Sequence, residues 1–203
     1  YPGKDICGFD VSPAMANIAS KNIRNEKLGN ATVKTGPVED VPKMFPGQKF
    51  DLIFVYFGGL NTVHQIEKAV ETLKAASAPG ATFILTCVNR YYFLDMVVKL
   101  LKLKFNDATS RFRNKWKGYS PGRDLPSKVF SYGYVKKVFQ PEFRIMAKRG
   151  FSIFYPPWYG ARHLNKIKGL GMVLWKLDLF LQKTPLWNMG EYTLYEMKAK
   201  NNH

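Results

Sequence analysis

The sequence predicts an α/β fold: a doubly wound, mostly parallel sheet with flanking helices, an antiparallel C-terminal strand, and a basic helical and loop insertion beyond the strand that ends near Val88. Three observations carry this. Short β-rich runs alternate with segments of helical period, joined by short connections. The run Phe50 to Phe57 is nearly continuous in apolar residues, the pattern of a strand buried on both faces of a parallel sheet. The first run, Asp5 to Val11, meets an acidic residue, Asp10, where a helix start follows at once.

That helix start is Ser12-Pro13, a side-chain cap followed by the residue whose missing N–H costs nothing in the first turn. Ala14, Met15, Ile18, Ala19 and Ile23 then recur at helical spacing up to Gly29, which predicts the C-terminal cap. Ala31 to Thr35 reads as the second strand, leading to a polar loop over residues 36–40. After the Phe50–Phe57 strand and the Gly58-Gly59 break, Val63, Ile66, Ala69, Val70 and Leu73 share one face of a helix over 62–76. Pro79-Gly80 predicts a turn and Ala81 to Val88 a further buried strand. Tyr91 to Phe105 reads as one apolar helix with Asp95, Lys99 and Lys102 on a single side. A basic, irregular stretch runs from Asn106 to about Lys128, so residues 90–130 form a lid-like insertion within a single domain spanning 1–203. Ser131 to Phe139 predicts a short helix, Phe143 to Tyr155 a strand interrupted at Lys148-Arg149-Gly150, His163 to Lys183 a mainly helical segment, and Tyr192 to Lys198 the antiparallel last strand.

The 203 residues, 46% hydrophobic, suffice for one domain with a substantial core and exclude disorder as the default state. Cys7 and Cys87 each lie inside an apolar run, far apart and without a histidine cluster, which predicts reduced, buried thiols and no metal site. No apolar stretch reaches the ~18 residues of a membrane span, and the opening residues form a turn without an apolar leader, which together predict a cytoplasmic protein. Charge is unevenly distributed. Residues 1–89 carry 9 Lys/Arg against 8 Asp/Glu, whereas residues 90–150 carry 15 against 4. A field confined to one segment speaks of a partner: an acidic small molecule or lipid, an anionic membrane surface, or RNA, set against an ordinary solvated lysine-rich loop.

Ligands of doubly wound sheets bind at the carboxyl ends of the strands, where Asp10, Glu39, Phe57-Gly58-Gly59 and Asn89 fall. Three stretches there carry a family resemblance. Ile6 to Pro13 with Met15 resembles the second strand and following helix of the class I, Rossmann-like, S-adenosylmethionine-dependent methyltransferases. Phe50-Asp51-Leu52-Ile53 with Phe57-Gly58-Gly59-Leu60-Asn61 resembles their fourth strand and its exit. Leu73 through Pro79-Gly80-Ala81 resembles the segment before their fifth strand, with Ala81 in place of a glycine. The resemblance implies that Asp10 holds the ribose hydroxyls, that Met15, Val38 and Glu39 flank the adenine, and that Phe57 and Gly58 line the floor under the methionine portion. From the residues alone, a helix-capping acid is the lesser reading of Asp10, and Met15 reads equally as plain core. The family's glycine-rich turn after its first strand has no counterpart here. The expectation is that the natural chain extends N-terminally by roughly 40 residues, one strand–helix unit placed between the strands ending at Asp10 and Phe57.

The activity implied is methyl transfer to a small-molecule or lipid acceptor by in-line displacement at the sulfonium methyl, which needs alignment more than a dedicated acid–base pair. His64 is the histidine nearest the predicted cofactor edge and the candidate catalytic base, with His163 a weaker one. Tyr155, Trp158 and Tyr159 offer flat aromatic surfaces to an acceptor, or plug the sheet end, and Arg111 and Arg113 supply positive charge to it. Two other classes stay open: a nicotinamide-dependent oxidoreductase, whose second strand also ends in an acid, and a non-catalytic basic module binding nucleic acid or membrane on the same scaffold.

Overall fold

The computed structural model describes residues 3–113, 128–156 and 169–200. Its elements run β1 (Ile6–Asp10), α1 (Pro13–Asn25), β2 (Ala31–Thr35), α2 (Val41–Met44), β3 (Phe50–Val55), α3 (Ile66–Ala76), β4 (Ser77–Val88), α4 (Phe93–Leu101), α5 (Phe105–Ala108), α6 (Tyr132–Phe139), β5 (Phe143–Phe151), α7 (Leu170–Leu181) and β6 (Tyr192–Ala199). The strands form two sheets: β1 pairs with β2 in parallel, and a second sheet has the order β3-β4-β6-β5. In the second sheet β3 and β4 are parallel and β6 runs antiparallel to both β4 and β5. No ladder joins β1 to β3 among the described residues.

The main core lies on the face of the second sheet covered by α3 and α6. Ile66, Ala69, Val70 and Leu73 of α3 and Val135, Val138 and Phe139 of α6 bury against Phe83 and Leu85 of β4 and Tyr195 and Met197 of β6. Phe83 is the hub, its ring 5.9 Å from Phe139 and 5.2 Å from Phe143. A smaller cluster of Val41, Met44, Phe45 and Ala76 closes the lower edge, with Cys7, Phe9 and Phe50 packed on it.

Several boundaries differ from those the sequence predicts. Ser12 caps α1, its Oγ accepting the Met15 N–H at 3.4 Å, but the helix ends before Gly29. Lys27 takes the left-handed position (φ 53°); the Leu28 N–H reaches the Ile23 carbonyl and the Lys27 N–H the Arg24 carbonyl, the paired bonds of a Schellman ending. The same device, with Leu103 at φ 55°, divides the single helix predicted over 91–105 into α4 and α5. The 62–76 helix starts only at Ile66, because Gly59–Thr62 forms a 3₁₀ turn and Val63 is extended. Val38–Asp40 is another such turn, continuing into α2 where a loop is predicted. β4 spans Pro79-Gly80, but the turn predicted there survives as a bulge: the pairing with β3 jumps from Phe50 opposite Ser77 to Leu52 opposite Thr82, and Gly80 has φ 69°. β5 is continuous across Lys148–Gly150, its irregularity falling instead between Ile145 and Ala147. The run predicted to be buried on both faces, β3, is buried on one: Ile53 and Val55 pack on the core, while Leu52 and Phe54 are exposed. No described helix is long and apolar enough to cross a membrane.

Candidate functional site at the carboxyl ends of the strands

Parallel register sets Asp10 opposite Thr35 at the ends of β1 and β2, and the Gly36 N–H donates to the Asp10 carbonyl at 3.0 Å, tying the two tips together. The Asp10 carboxylate Oδ1 accepts the Ser12 N–H at 2.8 Å. This bond fixes the side-chain direction at the mouth of α1 and occupies one oxygen, so capping and ligand binding are compatible roles for the two oxygens of one carboxylate. Met15, one turn into α1, is exposed. Val38 is buried in the main core and does not offer its side chain to a ligand, while Glu39 beside it is half-buried.

The exit of β3 is conformationally costly. Phe57 (φ 55°) and Gly58 (φ 75°) are consecutive left-handed residues, and a bulky side chain in that region is unusual. Phe57 is 75% exposed. The Gly58 N–H donates to the Thr86 carbonyl at 3.2 Å, and a Cβ on Gly58 would lie 2.8 Å from Val88 Cγ2. Only glycine both accepts this backbone and allows the close approach.

Two buried asparagines fasten the end of β4. Asn61, fully buried, acts as a substitute strand: its Oδ1 accepts the Val88 N–H at 3.0 Å and its Nδ2 donates to the Lys128 carbonyl at 2.9 Å. Asn89 donates from Nδ2 to the carbonyls of Asn188 (2.7 Å) and Gly190 (3.1 Å), binding the turn before β6. The resembling stretches contain Asn61, and Asn89 falls at a predicted strand end, but their partners are distant in sequence and neither role is visible there.

The remaining predicted site residues do not form one group. His64 lies in an exposed bend ahead of α3, not in its first turn, and the contact it makes is through its carbonyl, which accepts from Lys128 Nζ at 2.9 Å. Arg111 is only 6% exposed. Its Nη1 donates to the Asn89 carbonyl at 2.8 Å, its Nε is 3.6 Å from Asp95, and its guanidinium faces the Tyr92 ring at 5.0 Å. Arg113 is exposed and bonds locally to Thr109 and Asn106. Tyr155 is half-buried, edge-on to Trp175 at 5.9 Å. Its N–H, with those of Ile153 and Phe154, donates to the buried carboxylate of Asp178, an α7 residue that pins the loop leaving β5. Trp158, Tyr159, His163 and the basic residues Lys115 to Lys117 lie outside the described residues. Among the described residues no cluster of three or more His, Cys, Asp or Glu could hold a metal ion.

The architecture defines a class first: an α/β fold with parallel strands, a reversed last strand and its ligand-type residues at the carboxyl ends. Residues 1–80 match the family described as methyltransferase domain. Among solved structures, that of the 4+2 cyclase SpnF matches with a TM-score of 0.59 at 15% identity, covering 98% of this chain and 67% of that one. A S-adenosylmethionine-dependent methyltransferase from Clostridium acetobutylicum ATCC 824 gives 0.58 at 13% identity, covering 98% and 76%. The plantazolicin methyltransferase BamL, solved with a triazolic desmethyl analogue and SAH, gives 0.52 at 13%, covering 100% and 70%. No curated protein matches the chain in sequence. The first 80 residues are thus similar to a methyltransferase domain, and the chain as a whole has the α/β fold of solved S-adenosylmethionine-dependent methyltransferases. Structures this distant in sequence speak for the fold alone, and the cyclase among them illustrates that one fold hosts different chemistry.

Proposed function

We propose that the protein transfers the methyl group of S-adenosylmethionine to a small-molecule acceptor. The observation that supports this most is the presence, at the carboxyl ends of β1 and β3, of an acidic strand tip bonded to Ser12 and a strand exit forced into two left-handed residues at Phe57-Gly58. The residues fit the ribose end of the cofactor: the Asp10 carboxylate is oriented by one oxygen and keeps the other for a sugar hydroxyl. The exposed Phe57 fits the methionine end, held in place by Gly58, whose bare Cα packs against Val88. Among the described residues β1 and β3 are unjoined, which supports a further strand between them, and the exposed Leu52 and Phe54 support a helix over that face of β3.

S-adenosylmethionine supplies a methyl group already activated on a sulfonium. The chain's part is then to hold the ribose through Asp10, to present the β3 exit as a fixed floor, and to exclude water while the acceptor is aligned behind the methyl carbon. No proton transfer is assigned to His64, whose side chain is exposed. The described residues 90–113 and 128–130, with Tyr155, are proposed to form the acceptor side. The experiment is calorimetric titration of S-adenosylhomocysteine into the protein and its Asp10→Ala variant. The variant is expected to lose at least tenfold in affinity, about 1.4 kcal/mol, with an unchanged circular dichroism spectrum; equal affinities would reject the ribose assignment.

A further inference from the structure

A cavity of about 260 Å³ lies where the residues following β4, the end of α5 and the turn before β6 meet. Its size is at the small end for ligand sites, suited to a compact molecule and too small for a polymer segment. Tyr92, Phe93, Met96, Phe112 and Met189 give it apolar walls, and Arg90, Arg111 and Asn188 interrupt them.

The two arginines differ. Arg111 is fully engaged, holding the Asn89 carbonyl, facing the Tyr92 ring and lying beside Asp95, whose carboxylate also takes Lys99 at 2.7 Å. Its contacts build the wall. Arg90 donates from Nη2 to the Phe112 carbonyl at 3.1 Å, but its Nε is buried and has no hydrogen-bond partner. No carboxylate lies within ion-pair distance of it among the described residues. Asn188 Oδ1 is likewise buried and unpartnered. A charged donor left in this state is unfavourable, and a ligand oxygen relieves it. The guanidinium edge matches a carboxylate in both charge and planarity. The Asn188 amide, turned end for end, offers its NH₂ to the second oxygen.

We propose that this cavity binds a compact aromatic or cyclic apolar molecule bearing one carboxylate, its anionic end at Arg90 and Asn188 and its ring among Tyr92, Phe93 and Met96. Resting on the methyltransferase reading, that molecule is the methyl acceptor. The charge excess of residues 90–150 then has a local meaning, for one arginine of that segment lines an apolar cavity with no carboxylate at ion-pair distance among the described residues.

The test is calorimetric titration of the protein with 1-naphthoate and, in parallel, with 1-naphthamide, which has the same rings and no charge. The naphthoate is expected to bind roughly tenfold tighter or better. Arg90→Gln removes that preference, and Met96→Trp, which fills the cavity, abolishes binding of both probes. S-adenosylhomocysteine affinity should stay unchanged in both variants. Equal affinity for the two probes, a preference that survives in Arg90→Gln, or undiminished naphthoate binding by Met96→Trp would overturn the proposal. Naphthoate binding without S-adenosylhomocysteine binding would leave the cavity standing and remove the methyltransferase reading; the reverse result would remove the cavity proposal alone.

Discussion

β4 and β3 are adjacent parallel strands of similar composition, yet they differ in environment. β4 has a ladder on each side, helices α3 and α6 over its inner face, and Ala81, Phe83, Leu85 and Cys87 buried in alternation. β3 has a ladder only toward β4, and its Leu52 and Phe54 are 43% and 53% exposed. Across the break, α1 repeats the pattern, with Ala16 buried and Met15 and Ile18 exposed. Stability is therefore concentrated in the half built on β4, β6 and β5, while the half bearing the proposed cofactor residues keeps apolar surface uncovered. The lesson is that an apolar strand records what its place in a sheet demands, and burial follows only where a layer covers the face.

Mutations can break that contrast directly. Phe83→Ala is expected to cost about 4 kcal/mol in urea unfolding, since it opens a cavity at the hub of the core. Phe54→Ser, on the uncovered face of β3, should change stability by no more than about 0.5 kcal/mol. Comparable losses for the two would show that β3 is covered in solution. Gly150→Ala should cost about 3 kcal/mol, because its Cβ would overlap the Trp187 carbonyl where the turn before β6 packs on β5; a neutral result would mean that this turn is free to move.

The smallest effect concerns the two thiols. Burial pushes the Cys87 thiol far above its ordinary value, and Cys7 is raised more modestly, by partial burial and then by Asp5. Both shifts reduce the thiolate fraction at neutral pH, so alkylation by iodoacetamide should be slow at pH 7 and rise toward pH 9 and above. It should modify Cys7 and spare Cys87 in the folded protein. Early modification of Cys87 would show that the closed half opens readily.

Much of this was legible in the sequence for local reasons. Ser12-Pro13 announces α1 because a cap and its first-turn proline are neighbours in the chain, and Asp10 is read as a strand tip from the run that precedes it. Lys27 and Leu103 as left-handed helix endings were not legible, since residues with side chains give no local signal for a conformation that surrounding hydrogen bonds impose. The one-sided burial of β3 was hidden because an apolar run does not say whether a layer covers each face. The union of Arg90 with Asn188 depends on the β4–β6 pairing that brings the end of one strand to the beginning of the other. His64 was singled out by residue type and by its place after the β3 exit, and the bend that exposes it follows the 3₁₀ turn before it.

The most direct test of the central claim is to titrate the protein with S-adenosylhomocysteine and, separately, with NAD, keeping Asp10→Ala as the comparison. The account predicts micromolar binding of S-adenosylhomocysteine that Asp10→Ala weakens, and no binding of NAD. Binding of NAD in its place, or of neither ligand, would contradict it.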